Sequence, residues 1–205
     1  RVPDGVAVLA EGEEEELARG ATQKLHVAAK CYTCKRPYVE LHFFYDQLCP
    51  GCAALNYRKR NEACDMTGMV AVVTGARVKI GYRCALKLLR CGCTVVATSR
   101  FATDCARRFE KEEDSAEWMG RLQCYGVDFR DLASLEMLCA WIRQKHDRLD
   151  VIINNACQTI RRPAQYYAHL MERERTPVAK LSDGVRGLLR ENEAWRSQAG
   201  PACLQ

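Results

Sequence analysis

Four short, mostly apolar runs alternate with amphipathic segments through the middle of the chain. The runs are residues 69–74, 94–98, 122–127 and 149–153. Such runs are typical of strands that are buried on both faces of a sheet. Between them, apolar residues recur with helical spacing in 80–89 and 132–144, and a polar helical stretch is predicted over 102–113. Strands that alternate with helices predict βαβ units and an α/β fold, a doubly wound parallel sheet.

Composition divides the chain into four predicted segments. They are an acidic flexible tail (1–24), a cysteine- and aromatic-rich block (25–62), the alternating region (66–160) and a helical extension (161–205). No further buried strand is expected in the extension, so the sheet is only partial. An uncovered sheet edge invites pairing with other chains. We therefore expect the extension or a protein partner to cover it.

Two Cys-x-x-Cys pairs stand fourteen residues apart in the cysteine-rich block, as Cys31, Cys34, Cys49 and Cys52. Each pair offers two thiolates from one tight turn, and four thiolates complete a tetrahedron around one zinc ion. Such a site is closed, which favours a structural role. The alternatives are two disulfides or free thiols, and His26 or His42 could replace one cysteine. We predict a small N-terminal zinc-binding module.

The charge distribution limits the kinds of partner that the chain could bind, and the cysteine content indicates its cellular compartment. The net charge is +5, but residues 1–16 carry six acids against Arg1, so residues 17–205 carry 30 basic and 20 acidic residues. A basic body could contact an anionic cofactor or nucleic acid, and Arg58-Lys59-Arg60 follows the second cysteine pair. Solvated surface bases are the alternative. No apolar run is long enough for a membrane helix. The chain has thirteen cysteines, and their spacing is not that of a small secreted protein held by disulfides. This predicts a reducing compartment, the cytoplasm or, as runner-up, the mitochondrial matrix.

The segment from Thr74 to Gly81 lies where a phosphate-binding loop is expected, between a buried strand and an amphipathic helix. Gly75 permits a sharp turn, and Gly81 lets the helix pack close to the sheet. Free N–H groups at the start of the helix attract a pyrophosphate. The strand–loop–helix context is the one that a dinucleotide motif requires.

These residues resemble the short-chain dehydrogenase/reductase family over about 68–160. The shared motifs, in order, are Thr74-Gly75-Ala76 with Ile80-Gly81, Ser99-Arg100, Asp128 and Asn154-Asn155-Ala156. The resemblance implies a Rossmann fold, with glycines at the pyrophosphate, Asp128 at the adenine and Asn154 beside the cofactor. Arg100 stands where NAD-binding members carry an acid, which implies NADP. The implied cofactor residues are Gly75, Arg77, Lys79, Ile80, Gly81, Arg100, Asp128 and Asn154.

The chain departs from the family at two points. Lys79 occupies the position of the middle glycine, where it could bind the phosphates or block them. The catalytic Tyr-x-x-x-Lys motif is absent, because Tyr166 and Tyr167 are followed four residues later by Leu170 and Met171. No catalytic residue is therefore assigned. We expect a non-catalytic subunit or binding module of a larger assembly; the alternative is a fragment of an NADP-dependent oxidoreductase whose catalytic half lies elsewhere. Chemistry at Cys157 or the histidines has no specific support.

Overall fold

The computed structural model describes residues 23–157 and 162–199. Apart from Gln23 and Lys24, the predicted acidic tail lies outside this range. The chain divides into two compact units, Arg1–Cys64 and Asp65–Gln205. Within the described ranges, no helix is both long and apolar enough to cross a membrane.

The first unit is a β-hairpin followed by one helix. Strands β1 (Lys24–Lys30) and β2 (Pro37–Glu40) pair antiparallel, and helix α1 spans Pro50–Asn61. The first cysteine pair lies in the turn between the strands, and the second lies at the start of α1. Four buried residues form the small core: Cys31, Tyr38, Leu48 and Ala53. A core of so few apolar side chains provides little hydrophobic stabilisation, as expected for a unit of this size.

The second unit is an α/β fold with a parallel sheet of four strands in the order β5-β4-β3-β6. Its strands are β3 (Val70–Thr74), β4 (Thr94–Ser99), β5 (Leu122–Gly126) and β6 (Val151–Ile153). Its helices are α2 (Lys79–Arg90), α3 (Ala102–Glu110), α4 (Ser115–Trp118), α5 (Leu132–Lys145), α6 (Ala168–Glu174) and α7 (Asp183–Ala199). The predicted partial doubly wound sheet is confirmed.

Apolar side chains pack on both faces of this sheet because its central strands, β3 and β4, carry apolar residues at consecutive positions. Neighbouring residues of β4 point to opposite sides: Val95 joins one core cluster with Leu86 and Leu89 of α2, whereas Val96 joins the other with Trp141 of α5. Continuous hydrophobicity is what two covered faces require.

Helix α7 covers the β5 edge of the sheet. Its first half (Val185, Leu188) packs in one core cluster, and Trp195 packs in the other. Between them, the buried Asn192 accepts a hydrogen bond of 2.8 Å from the backbone N–H of Gly126 in β5. The side-chain oxygen thus satisfies a backbone N–H group at the end of β5 that a neighbouring strand could otherwise bind. The expected covering of one edge by the C-terminal extension is present here.

The opposite edge is formed by β6, which pairs with β3 through three residues. Ile152, at the centre of β6, is 58% exposed. Within the described ranges, no second strand pairs with β6. A short apolar edge strand therefore stays open to pairing.

Candidate functional site

The loop between β3 and α2 turns at Gly75 at the carboxyl end of the central strand β3. Gly75 has a φ of 66°, which favours glycine. A Cβ on Gly81 would lie 2.5 Å from the carbonyl oxygen of Gly75, so the two residues approach through their backbones. At the start of α2, Val78 provides no side-chain cap, and the first turn holds no acidic residue. Its first N–H groups are thus available to an anion.

The amide of Asn155, which follows β6, fixes this loop. Its Nδ2 donates to the carbonyl oxygens of Thr74 (3.0 Å) and Gly75 (3.2 Å). The backbone N–H groups of Asn155 and Ala156 both donate to the Thr74 hydroxyl at 2.9 Å. That hydroxyl donates in turn to the carbonyl of Ile153. These bonds hold the ends of β3 and β6 together, whereas Asn154, the residue implied by the resemblance, is exposed.

Lys79 and Ile80 begin helix α2 with their side chains exposed. Lys79 has a φ of 56°, the left-handed region that the middle glycine of the family motif adopts easily. A lysine with this backbone carries about 1–2 kcal/mol of strain. The turn geometry of the motif is therefore kept without its glycine. Lys79 is exposed, so its ammonium group adds a positive charge near the start of the helix.

Arg77 of the same loop binds Asp104 of α3 at 2.8 Å. Asp104 is 2% exposed and also accepts hydrogen bonds from Arg108 (2.7 Å) and Arg173 (2.9 Å). Burial by itself raises the pKa of Asp104, but the hydrogen bonds from the three arginines outweigh it and lower that pKa to about 2. The carboxylate is thus charged at all ordinary pH values and holds Arg77 at the carboxyl end of the sheet.

Arg100 follows β4 and lies over aromatic rings. Its guanidinium carbon is 4.8 Å from the ring centre of Tyr167 and 5.6 Å from that of Phe101. Phe101 and Tyr167 stack on each other with centroids 5.6 Å apart. The predicted 2′-phosphate residue is therefore at the surface, with a tyrosine from the segment after β6 beside it.

Asp128, two residues beyond β5, forms an ion pair with Arg130. Hydrogen bonds from Arg130 are the main reason that the pKa of Asp128 is lowered. Doubly wound sheets bind ligands at the carboxyl ends of their strands. Five of the expected cofactor residues follow the carboxyl ends of β3, β4 and β5: Gly75, Arg77, Gly81, Arg100 and Asp128. The structure thus brings most of the expected cofactor residues to one edge of the sheet.

The sequence model of the short chain dehydrogenase family matches residues 69–175. The chain belongs to the short chain dehydrogenase family. The matched range begins just before β3 and ends just after α6, so it contains the whole β3–α2 loop and Asn155.

Several proteins are similar to this family member over part of their length. An uncharacterized protein, R665, of Acanthamoeba polyphaga mimivirus is 36% identical over 63% of this chain and 29% of its own length. Dehydrogenase/reductase SDR family member 11 of Gallus gallus is 37% identical over 44% of this chain and 35% of its own length. (-)-Isopiperitenone reductase of Mentha piperita is 34% identical over 42% and 28%. The chain thus spans about a third of the length of these curated relatives.

Solved structures align at lower identity. The alignment with the Pseudomonas aeruginosa RhlG/NADP active-site complex covers 67% of this chain and 52% of the chain in that structure, at 21% identity and a TM-score of 0.38. A short chain dehydrogenase structure from Pseudomonas syringae covers 65% and 55%, at 18% identity and a TM-score of 0.42.

Four of the five cysteines of the first unit converge on one point. The sulfur atoms of Cys31, Cys34, Cys49 and Cys52 all lie within 4.8 Å of one another. The Cys34 and Cys49 sulfurs are 3.6 Å apart, close to the ~3.8 Å that tetrahedral zinc–thiolate bonds of ~2.3 Å require. Lys35, with φ 64°, closes the first turn, and Pro50 begins α1 directly after Cys49. This donor set fits a zinc ion.

Two thiols of this cluster have pKa values that are shifted in opposite directions. Burial raises the pKa of Cys31, but N–H groups of Cys49, Cys34 and Thr33 lower it to about 6. Hydrogen bonds to Cys49 and Cys34 raise the pKa of Cys52 to about 12. The surroundings therefore favour a thiolate at Cys31 and a neutral thiol at Cys52, and a bound divalent cation would favour the thiolate at Cys52 as well.

The basic run at the end of α1 is partly engaged within the first unit. Lys59 forms an ion pair with Glu62 at 2.6 Å, and the guanidinium of Arg60 lies 4.9 Å from the ring centre of Phe44. Phe44 is half-exposed. Of these bases, Lys59 thus pairs with an acid and Arg60 packs against an aromatic residue of the same unit.

Proposed function

We propose that this short chain dehydrogenase family member binds a dinucleotide at the carboxyl edge of β3 and β4 but lacks a proton donor of its own. The observation that carries the proposal is the uncapped start of α2 beside Gly75, where Gly81 leaves the backbone clear. A side chain at either glycine would meet Asn155 or Ala156. Backbone N–H groups without a carboxylate nearby suit a pyrophosphate.

NADP(H) is the dinucleotide that the charges favour. Arg100 follows β4 at the position from which an acid selects NAD, and Arg77, like Arg100, lies over the ring of Phe101. A guanidinium pairs with a phosphate in a charge-assisted, bidentate way. When bound, the cofactor supplies hydride chemistry, while this chain supplies binding and orientation.

Replacing Arg100 by alanine should remove most of a preference for NADPH over NADH. We expect the unmodified chain to bind NADPH at least about tenfold more tightly, equivalent to ~1.4 kcal/mol. Calorimetric titration of both cofactors measures this, with Arg143→Ala, an exposed arginine in the last turn of α5, as the matched control. Equal affinities in the unmodified chain would contradict the assignment of Arg100.

The proposed lack of catalysis follows from the absence of a lysine four positions after any tyrosine. Reduction of a carbonyl needs a group that gives a proton to the oxygen, which in this family is a tyrosine assisted by a lysine. None of the eight tyrosines is followed four positions later by lysine. We therefore assign the chain a role as a binding module or subunit. A fragment of a longer NADP-dependent oxidoreductase is the alternative, because later strands could carry the missing pair.

We further propose that the four-cysteine cluster holds structural zinc. Four thiolates would fill the coordination shell and leave no position for a substrate. The ion would join the hairpin turn to the start of α1, and it would compensate for the small core of this unit.

The open β6 edge is the proposed site of a protein partner. A strand that pairs with β6, from another protein or from later residues of a longer chain, would cover Ile152. Hydrogen exchange tests this by comparing the protein isolated natively from its cells with the 205-residue chain. Outward-facing amides of β6 should be protected in the native protein alone, whereas those of the central strand β3 are protected in both. Rapid exchange of β6 amides in both samples would refute the partner.

A further inference from the structure

Helix α6 and the turn before it contact the segment that follows β4 through three side chains: Tyr167, Arg173 and Glu174, here named the clasp. The Glu174 carboxylate accepts hydrogen bonds from the backbone N–H groups of Thr103 (3.0 Å) and Asp104 (2.9 Å) at the start of α3. The residue before α3, Phe101, provides no side-chain cap. Glu174 therefore supplies, from 70 positions away in sequence, the anion that this helix start attracts.

The other two members of the clasp engage the residues assigned to the cofactor. Arg173 donates to Asp104, the carboxylate that also holds Arg77. Tyr167 stacks on Phe101 and lies under the guanidinium of Arg100. Leu170, 3% exposed, anchors the same helix in the protein interior. Both arginines that would meet a 2′-phosphate thus contact the clasp or its partner.

We infer that the clasp is an autoinhibitory contact, in which Glu174 and Tyr167 occupy the 2′-phosphate end of the dinucleotide site. This inference rests on the proposed binding of NADP(H). A 2′-phosphate brings nearly two negative charges to a surface where Glu174 already binds the N–H groups of α3. The two anions compete for the same positive groups, so the clasp must open before Arg100 and the start of α3 reach the phosphate. The apparent affinity is reduced by the fraction of molecules with the clasp closed.

The competition is selective for the phosphorylated cofactor. NADH carries no 2′-phosphate, and its pyrophosphate would lie at Gly75 and the start of α2, whereas Glu174 binds the start of α3. Opening the clasp should therefore change the affinity for NADPH and leave that for NADH almost unaltered. A segment that merely stabilised the fold would affect both cofactors alike.

Calorimetric titration of the full 205-residue chain with NADPH and NADH tests the clasp in three variants. Glu174→Gln and Tyr167→Ala should each raise the affinity for NADPH about tenfold and change that for NADH less than about threefold. Glu172→Gln, an exposed acid on the same helix, is the matched control and should change neither. Unchanged or weaker NADPH binding by Glu174→Gln would overturn the clasp and leave the proposed function intact. Absence of binding to both cofactors in every chain would overturn both.

Hydrogen exchange on the unmodified chain tests the same contact without a variant. Saturation with NADPH should accelerate the exchange of amides in 168–174 about tenfold, whereas saturation with NADH should not. Unchanged or slower exchange in 168–174 with NADPH would overturn the clasp.

Discussion

Replacement of Cys49 by serine should release zinc and unfold the first unit while the second unit keeps its own melting transition. The physical reason is the small core of the first unit, in which Cys31 and Tyr38 are among four buried residues. The apparent binding free energy of structural zinc, about 10–16 kcal/mol, exceeds what such a core supplies. Elemental analysis should find about one zinc per unmodified chain and none in the variant. Amides of 24–61 should then exchange freely.

Cys64→Ser is the matched control, because Cys64 is exposed and lies outside the cluster. Zinc content and exchange should be unchanged in this variant. A freshly purified, unmodified chain without zinc would contradict the assignment of the cluster.

Replacement of Gly81 by alanine should destabilise the second unit by about 3 kcal/mol and weaken dinucleotide binding at least tenfold. The new Cβ would lie 2.5 Å from the carbonyl oxygen of Gly75 and would also collide with the Asn155 amide. Either the loop between β3 and α2 or the bonds from Asn155 must move. Thermal denaturation should show a Tm about 10 °C lower.

Gly187→Ala provides a control of the opposite sign. Gly187 lies inside α7, and a Cβ there meets nothing within 4 Å. Alanine should stabilise this helix by about 1 kcal/mol because glycine is the poorer helix former. Equal effects of the two substitutions would mean that Gly81 has no close approach to protect.

The central sheet could be predicted from the sequence because β3 and β4 carry consecutive apolar residues. Val70–Thr74 and Thr94–Ser99 lie within one residue of the expected runs at each end. The strands of the first unit were harder to predict from the sequence. The β1 strand is almost wholly exposed and shows no alternation, because backbone pairing and the cysteine turns, rather than a buried face, hold it. No periodic pattern marks such a strand.

The candidate site was only partly predictable. Motif spacing identified Gly75 and Gly81, since each position has a local backbone reason. Asp104 was missed, because two of its three arginine partners come from 27 and 69 positions away and local patterns do not report such contacts. The sequence resemblance implied Asn154, yet Asn155 is the side chain that binds the loop. Alternate residues after a strand face opposite sides, and which side Asn155 faces depends on the pairing of β6 with β3.

The central claim is that this chain binds NADPH but has no proton donor for reduction. The most direct test is the loss of nicotinamide absorbance when the 205-residue chain, saturated with NADPH, is offered a panel of aldehydes and ketones. General acid catalysis contributes about 10²–10⁴ in rate, so without it we expect no turnover above the background measured with Gly81→Ala. Turnover by the chain of this length that disappears in Gly81→Ala would contradict the account and reveal a different proton donor.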